Sequence, residues 1–470
     1  MRVRTLIIVV LLLLTATQLS AGDRSNVRAM GMGRTLVAGS RGIEAIGINP
    51  ANLAAAGNSA FSLGLAPAGL RVSTELFSYD IYQSYFTGEP GTTAGGSRKP
   101  KYLTDADKND ILSSLPDGLA ETRFDVEAMP LGFTISAGRL GGLGAAVIEH
   151  AGALLELPKD YFRFFLFGLD SAGSRYVLDG TAASAWWWRE YNISYGIRLR
   201  RDTVGIRELS IGVGVKLLRG YAMMETDHYT GSFGNSRIGS NQYQLNAQFD
   251  YLTRRSGVDF LDEEKNEDFG PFPDPAGKGT GFDFGINAQV RPGLFVAASV
   301  TDIGKMEWSE NVVQTEGRYK LVIDDPFKEE NTDSLERAVR GTNSPGKAFS
   351  VSLPTTLRVG VAINSSEFTG LKFLPGRMLI ALDYSQGLNK SMGNTTEPRV
   401  ALGMEYRLIP LLPLRTGIAF GGGDVPRWSA GFGLDLYYLS LDVGTENFGV
   451  LFSPKNFQMF SFAAGLRLRF

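Results

Sequence analysis

The residues that most often carry out chemistry in enzymes are scarce in this chain of 470 residues, which contains two histidines and no cysteine. Without cysteine there is no disulfide framework, no Cys-ligated zinc or iron–sulfur cluster and no Cys nucleophile. His150 and His228 stand 78 residues apart, so they form no helical metal-binding pair. No G-x-S-x-G elbow supplies a serine nucleophile. We therefore expect no enzymatic activity, no cofactor and no bound metal.

A glycine-rich stretch at residues 341–348 is close to a phosphate-binding loop, in which a Lys is followed by Ser or Thr. Lys347 is present, but Ala348 replaces the hydroxyl residue that would hold magnesium. No apolar strand precedes the stretch, although such a strand positions the loop in nucleotide-binding folds. We therefore do not expect nucleotide binding here.

A second stretch, which begins at Asp105, imitates the start of a calcium-binding loop. The sixth position of that loop requires glycine and the twelfth requires glutamate, but Asp110 and Pro116 stand there. The calcium interpretation therefore fails. Acidic residues suit the first turn of a helix, so we predict a short helical insert near residues 104–115.

The overall composition narrows the class of protein. Lys and Arg total 47 against 49 Asp and Glu, so the net charge of −2 gives no electrostatic basis for nucleic-acid binding. Glycine contributes 57 residues, well above the ~7% that is typical. The mean hydropathy is close to zero, which argues against a bundle of membrane-spanning helices. It agrees with a membrane β-barrel, whose alternating strands average to neutral.

The N-terminus has the organisation of a secretory signal peptide. Two arginines within the first four residues precede an uninterrupted apolar run of nine residues at 6–14, and small and polar residues follow as far as Gly22. Such a run is too short to cross ~30 Å of hydrocarbon as a helix. We predict that residues 1–21 are a signal peptide and that the protein is exported.

The C-terminal residues alternate in character. From Phe460 to Phe470 every second residue is apolar, and the residues between them are small or cationic. A strand places these two sets on opposite faces. This segment is similar to the C-terminal strand of Gram-negative outer-membrane proteins. The resemblance implies that Phe470 is a signal read by the barrel-assembly machinery.

The same two-residue period recurs along most of the chain. In lipid only a helix or a closed barrel satisfies every backbone polar group, and alternating strands of ~9–11 residues suit a barrel. We predict an all-β fold, a transmembrane antiparallel β-barrel of about 14 strands (12–16) within residues 59–470. A soluble β-sandwich with one solvated face is the alternative. The predicted strands are 123–138, 142–152, 185–200, 207–225, 240–252, 281–290, 293–303, 355–363, 377–385, 399–408, 413–422, 427–435, 438–446 and 457–470, with one or two more in 60–87.

The segments between the predicted strands also carry information. The long polar segments 253–280 and 304–354 fit external loops. We place the short helix near 104–115 at the periplasmic mouth or in the lumen. The three tryptophans at 186–188 begin a predicted strand and fit an aromatic belt at the membrane interface.

Charged and amide residues on the polar faces of the predicted strands should face the lumen. Their charges are mixed in sign, whereas a selective pore more often shows a ring of one sign. The mixture therefore indicates salt-bridged packing as much as a path for ions. The predicted lumen-facing residues are Asp283, Gln289, Arg358, Asp383, Glu405, Arg407, Arg467 and Arg469.

Residues 22–58 do not alternate and include the motif Asn49-Pro50-Ala51. Proline fixes its own φ and holds the preceding residue extended, and asparagine bonds nearby backbone in turns. The motif therefore predicts a tight turn or an ordinary helix start. With its glycine-rich opening and small-residue stretch, the segment resembles the FadL-like outer-membrane family, which includes fatty-acid transporters and the PorV-like subunits of a secretion system. The resemblance implies that residues 22–58 fold into the lumen as a plug.

Together these observations favour a protein of the cell outer membrane that passively transports small hydrophobic molecules through a plugged lumen. The fatty-acid substrate is not carried over, because the family's lipid-binding residues have no identifiable counterparts here. The alternative is a non-transporting surface scaffold or a PorV-like secretion-associated barrel that uses segment 304–354. The partners that we expect are outer-membrane lipid, the barrel-assembly machinery, and either a small hydrophobic ligand or a surface or secretion partner.

Overall fold

The computed structural model describes residues 25–470, except 90–97, 170–173, 204–205, 239–242, 259–272, 324–333, 335–336, 369–374, 423–425 and 453–457. The predicted signal peptide, residues 1–21, lies outside the described residues. Most of the described chain is strand. The strands are β1 (Phe61–Thr74), β2 (Leu119–Ser136), β3 (Gly142–Pro158), β4 (Arg175–Val177), β5 (Ala182–Thr203), β6 (Ile206–Arg237), β7 (Tyr243–Ser256), β8 (Gly277–Arg291), β9 (Leu294–Trp308), β10 (Val313–Ile323), β11 (Thr342–Pro345), β12 (Phe349–Ser352), β13 (Thr356–Asn364), β14 (Arg377–Gly387), β15 (Arg399–Arg407), β16 (Leu414–Gly421), β17 (Arg427–Leu436), β18 (Leu439–Thr445) and β19 (Met459–Arg469).

Fourteen strands of the described chain form a closed ring in which every neighbouring pair is antiparallel. The order is β1, β2, β3, β5, β6, β8, β9 and then β13 to β19. Strand β19 pairs back onto β1, with Leu468 opposite Leu63. The predicted all-β barrel and its strand number are confirmed. Its membership differs in one place, because β1 is part of the wall and the predicted strand 240–252 is not.

Strand β6 explains that difference. Residues 208–220 of β6 pair with β8 inside the barrel wall, whereas residues 223–237 pair with β7 beyond it. Strands β4, β7, β10 and β11 join this distal part of β6 and extend the same sheet beyond the wall, and we call this extension the external sheet. The prediction of a loop across 304–354 is therefore wrong for its described residues, which include strands β10, β11 and β12. Much of the predicted loop 253–280 lies outside the described residues.

The two ends of the barrel differ. Tight turns such as Arg291 to Leu294 and Leu436 to Leu439 join strands at the end where Phe470 lies, and the long connections lie at the opposite end. The described helices are α1 (Val27–Gly31), α2 (Tyr79–Ile81), α3 (Asp105–Ser113) and α4 (Lys159–Phe167), with π-helical residues Tyr82–Phe86.

Helix α3 confirms the predicted helical insert, and Thr104 and Asp107 form a reciprocal capping box at its N-terminus. The predicted location in the lumen is wrong, and the periplasmic mouth stays a prediction. The helix lies in the connection between β1 and β2, at the long-loop end, and most of its residues are exposed. This follows from the direction of β1, which runs away from the end that carries Phe470.

The barrel wall has an apolar outer face and a polar inner face, in agreement with the two-residue period. Outward residues such as Ile193, Phe284 and Leu402 are exposed, while Asn192, Asp283 and Ala401 beside them are buried. Within the described residues, no helix combines the length and apolar character needed to cross a membrane.

The barrel interior is occupied by residues 25–58, which we call the interior segment. It contains α1 and two 3-10 turns, Gly42–Ala45 and Pro50–Ala54, and most of its residues are buried. Glycines of the wall and of the segment itself allow it to approach the wall closely. A Cβ on Gly212 would lie 2.2 Å from the carbonyl carbon of Pro50, and a Cβ on Gly31 would lie 2.9 Å from the Cα of Gly431.

Candidate functional site

The Asn49-Pro50-Ala51 motif joins the interior segment to the wall. The Asn49 Oδ1 accepts a hydrogen bond from the Ala51 N–H at 3.1 Å and caps the turn Pro50–Ala54. Its Nδ2 donates to the carbonyl oxygens of Val37 at 3.1 Å and of Ile286 in β8 at 3.2 Å. One side chain therefore sets a local turn and also anchors that turn to the barrel.

A neighbouring amide pair strengthens this anchor. Asn287 of β8 donates through Nδ2 to the Asn52 Oδ1 at 2.5 Å and to the Ala38 carbonyl oxygen at 3.1 Å. Asn52 in turn donates to the Ser40 Oγ at 2.6 Å. The two-residue period of β8 placed Asn287 on the polar face, but nothing in the sequence singled out Asn52.

Six alternating charges form a closed loop between the interior segment and the wall, which we call the charge ring. Arg28 and Glu44 belong to the interior segment, and the other four belong to β15, β16, β18 and β19. The Arg28 guanidinium lies 2.9 Å from Glu44 and 2.7 Å from Glu405. The ring runs Arg28–Glu44–Arg467–Asp442–Arg415–Glu405 and back to Arg28.

The wall side of the ring is also well defined. Arg415 bonds Glu405 at 2.7 Å and Asp442 at 2.6 Å, and it has no exposed side-chain surface. Arg407 pairs with Glu405 at 2.9 Å and with Asp435, which also pairs with Arg469 at 3.0 Å. Each carboxylate therefore faces at least two guanidinium groups.

The ring fixes the charge of Glu44. Burial alone would raise the pKa of Glu44, but Arg467 and Arg28 outweigh that effect and lower the pKa to about 2. Glu44 is thus ionised at neutral pH, as is Arg28, whose pKa is raised because Glu405 and Glu44 outweigh the cost of burial. Four wall and interior residues of the ring, Arg28, Glu44, Arg415 and Asp442, were not predicted.

A second charged cluster faces the interior segment from the opposite wall, and we call it the acidic wall. The Lys216 Nζ in β6 lies 2.5 Å from Asp302, 3.2 Å from Asp283 and 3.5 Å from Glu190. His150 bonds Glu190 at 3.2 Å, lies 3.6 Å from Glu127 and stacks on Trp188 with ring centroids 4.8 Å apart. The acidic wall thus comprises Glu127, Glu190, Asp283, Asp302, Lys216 and His150.

The remaining predicted lumen residues lie apart from both clusters. The Asp383 Oδ2 accepts a hydrogen bond from the Val37 N–H at 2.9 Å. Arg358 is buried and donates to the Thr301 Oγ1 at 2.7 Å. Gln289 lies near the barrel end that carries the chain terminus and donates to Glu367 at 3.1 Å. The structure therefore divides the predicted set among the charge ring, the adjoining pairs of Arg407 and Arg469 with Asp435, the acidic wall and three positions outside these clusters. Of these three, Arg358 and Asp383 line a common pocket.

A cavity lies between the interior segment and the wall, and we call it the interior cavity. Its volume is about 70 Å³, which holds a few water-sized groups and is smaller than the ~300–1,000 Å³ of small-molecule sites. One side is apolar and is formed by Val27, Ile43, Ile46, Pro67, Met129, Ile148 and Leu466. The other side carries charged residues of the ring and the acidic wall, namely Arg28, Glu44, Asp442, Arg467, Glu127, Glu190, His150, Lys216 and Asp302.

The wall beside the apolar side of this cavity is irregular. Both β1 and β2 lose register there, between Leu65 and Ala68 and between Ala128 and Leu131. The second residue of each bulge is a proline, Pro67 or Pro130, which has no N–H to give to a strand ladder. Two adjacent strands are thus weakened at the same level, where the cavity reaches the wall.

The tryptophan triplet does not form a belt as predicted. Trp186 and Trp188 are buried and point into the barrel on the same face as Glu190, and only Trp187 has the outward parity. The inner pair belongs to an apolar cluster toward the long-loop end, which we call the apolar cap. Its members are Trp186, Trp188, Leu218, Met223, Ala276, Met306, Trp308, Val312, Phe349, Val351, Leu353 and Met392.

Phe470 closes the last strand of the barrel on its outer surface. Its ring stacks on Tyr438 with centroids 5.4 Å apart and lies 6.2 Å from the ring of Phe61. The side chain remains more than half exposed.

Comparison with known proteins places the chain among related sequences. Residues 53–425 match the model of a family described as "Family of unknown function (DUF5723)". The chain belongs to this family. No curated protein matches this DUF5723 member.

Three solved structures that are similar to this DUF5723 member are distant from it in sequence. A Pseudomonas aeruginosa FadL homologue is 12% identical, with 97% of this chain and 100% of that chain covered and a TM-score of 0.47. The Ralstonia pickettii toluene transporter TbuX is 12% identical, with 94% and 98% covered and a TM-score of 0.46. The Pseudomonas putida toluene transporter TodX is 10% identical, with 96% and 98% covered and a TM-score of 0.38.

Proposed function

We propose that this chain is an outer-membrane barrel that lets small hydrophobic molecules pass through its interior without an energy source. The apolar outer face of a closed barrel suits lipid, since every wall strand is hydrogen-bonded on both sides. Short turns at the end that carries Phe470 suit the periplasmic side, and the long connections suit the outside. In this orientation Phe470 is available to the barrel-assembly machinery.

The interior cavity is the observation that carries the proposal. Its apolar side is lined by Ile43, Ile46, Met129 and Ile148, which pack together as one cluster. It also reaches the paired bulges of β1 and β2, where Pro67 interrupts the ladder. A small apolar molecule would therefore meet an apolar lining, which must move apart to hold it, and a weakened stretch of wall next to lipid.

Passage through this interior requires movement of protein groups. The interior segment fills the barrel on one side of the cavity, and the apolar cap packs toward the long-loop end. The proposed transport is therefore gated, and the cavity is an intermediate binding position between two closed regions.

A pair of glycines provides a matched test. Gly47 lines the cavity and Gly57 is exposed outside it, yet both have positive φ, of 74° and 83°, and an added Cβ meets no atom within 4 Å at either. The backbone strain of a substitution is thus similar at the two sites, but only Gly47→Phe would fill the cavity.

The experiment measures uptake of radiolabelled toluene by Gram-negative cells that carry the wild-type protein, Gly47→Phe or Gly57→Phe. We expect the wild type and Gly57→Phe to raise uptake above cells that lack the protein, and Gly47→Phe to abolish most of that increase. Glycerol uptake, measured in parallel, should not rise. If the wild type does not raise toluene uptake, the transport proposal is wrong.

A surface-scaffold function is the second candidate, and the external sheet favours it. This sheet extends beyond the barrel wall and carries an aromatic cluster that includes Phe249, Tyr251 and Tyr319. A photoreactive amino acid at Val322, which is 56% exposed in β10, would test for a protein partner. A discrete cross-linked protein at Val322, absent from a control at the wall residue Leu414, would support the scaffold function.

A further inference from the structure

The acidic wall contains more negative than positive groups. Its four carboxylates, from Glu127, Glu190, Asp283 and Asp302, are at most 17% exposed. Among the described residues, the cations that pair with them are Lys216 and His150. Asp283 does not line the cavity, so with His150 protonated the three ionised carboxylates that do, those of Glu127, Glu190 and Asp302, exceed their cations by one charge.

The hydrogen bonds of this cluster also leave acceptor capacity unused. Asp283 is fully buried, and its Oδ1 accepts from the Asp302 N–H at 2.8 Å, but its Oδ2 has no hydrogen-bond partner among the described residues. One carboxylate oxygen of Glu127 accepts hydrogen bonds from the N–H and the hydroxyl of Ser25. The other oxygen lies 3.6 Å from the His150 ring. Burying an uncompensated carboxylate is costly, so a cation from outside the chain would stabilise this region.

The opposite side of the cavity does not offer a matching site for an anion. Arg28 and Arg467 line the cavity, but each already bridges two carboxylates of the charge ring. The unbalanced charge that borders the cavity is therefore negative, and it faces the apolar cluster formed by Ile43, Ile46 and Met129.

We propose that the interior cavity selects an organic cation, an ammonium or guanidinium group on a small apolar body. The apolar body packs against the side formed by Ile43 and Met129, and the cationic group donates hydrogen bonds to Glu127, Glu190 and Asp302. The inference rests on the proposed function, because it takes the cavity as the ligand site of the barrel and adds the charge of the ligand.

Three probes of nearly equal size separate charge from shape: benzylamine, benzyl alcohol and benzoate. Binding to the full-length protein in a neutral detergent is measured at neutral pH by calorimetry and by quenching of tryptophan fluorescence, since Trp188 stacks on His150 beside the cavity. We expect benzylamine to bind about tenfold or more tightly than benzyl alcohol, and benzoate to bind most weakly.

The variant Glu127→Gln/Glu190→Gln keeps the shape of the acidic wall and removes two charges. It should lose the preference for benzylamine and keep its affinity for benzyl alcohol. Asp250→Asn is the control, since Asp250 lies in the external sheet, and it should bind all three probes as the wild type does. The compact form of each variant in unheated SDS gels verifies folding.

The outcomes distinguish the two proposals. Equal affinities for benzylamine and benzyl alcohol, or a preference that survives in the double variant, would overturn the cation inference and leave hydrophobic transport standing. If benzyl alcohol also fails to bind the wild type, the cavity is not a ligand site and both proposals fail. Toluene uptake provides the independent measurement of transport.

Discussion

Arg28 of the interior segment donates two parallel hydrogen bonds to Glu405 of β15, from Nε to Oε2 at 2.7 Å and from Nη2 to Oε1 at 3.1 Å. Such a bidentate pair fixes orientation as well as distance. The residues are 377 positions apart in the sequence. Their contact ties the start of the interior segment to a late strand of the wall, so the segment is held as part of the barrel.

Removing one partner of this pair should destabilise the barrel strongly. Glu405→Gln leaves three guanidinium groups, those of Arg28, Arg407 and Arg415, facing a neutral amide. Loss of one member of a buried ion pair costs about 3–5 kcal/mol. In SDS gels a folded barrel migrates as a compact form until heating unfolds it to a form that migrates more slowly. We expect a large fall in the temperature of this conversion. Arg318→Met, which removes an exposed pair with Asp250, should change it little.

The charge ring should also respond to acid in a defined range. Glu44 has a pKa of about 2 in the folded protein and ~4.3 in an unfolded chain. Its stabilising contribution is complete above the unfolded pKa and is lost as pH falls through the folded pKa. The stability difference between wild type and Glu44→Gln should therefore be constant above about pH 5 and shrink toward pH 2. Hydrogen exchange of residues 42–46 would measure it, and a difference that does not vary with pH would contradict the assignment.

The cysteine-free sequence allows a clean test of movement by the interior segment. Val27 and Ala463 pack in one apolar cluster between that segment and β19. Oxidation of a Val27→Cys/Ala463→Cys variant should fix the segment and reduce toluene uptake several-fold, and a reducing agent should restore it. Each single cysteine variant serves as the control. Unchanged uptake after complete disulfide formation would show that this end of the segment does not move.

Asn49 performs two roles that different substitutions separate. Asn49→Asp keeps the oxygen that caps the turn but loses the donor to Val37 and Ile286. Asn49→Ala loses both, and loss of a cap costs about 0.5–2 kcal/mol. We expect more proteolysis within residues 37–58 in both variants than in the wild type. Asn58→Asp loses two donors to the same turn but no wall contact, so it should be cleaved less than Asn49→Asp if the wall contact is decisive. Cleavage confined to Asn49→Ala would assign the main role to the cap.

The sequence predicted the barrel well because its signal is periodic. Alternation gives the inner and outer face of each strand directly, so residues such as Asp283 and Glu405 could be placed on the polar face. It does not give their height in the barrel or their partners. Arg28 and Glu44 could not be found at all, because the interior segment has no period and its contacts join residues hundreds of positions apart.

Two further errors have a common physical cause. A period of two continues unchanged when a strand leaves the wall, so β6 and β7 have the pattern of wall strands although the distal part of β6 and all of β7 form the external sheet. Likewise, Trp186 and Trp188 were assigned to a belt because aromatic residues suit an interface, but the same residues also fill an apolar cluster. Local patterns specify the strand and its faces, and tertiary packing decides what each face touches.

Strand β6 runs without interruption for 32 residues, which corresponds to roughly 100 Å of extended backbone at ~3.3 Å per residue. Its lower part carries Lys216 and the glycine that receives Pro50, and its upper part forms the spine of the external sheet. It therefore joins the buried interior of the barrel to the external sheet in one continuous element. A partner bound to that sheet would be linked to the barrel interior by a single unbroken length of backbone.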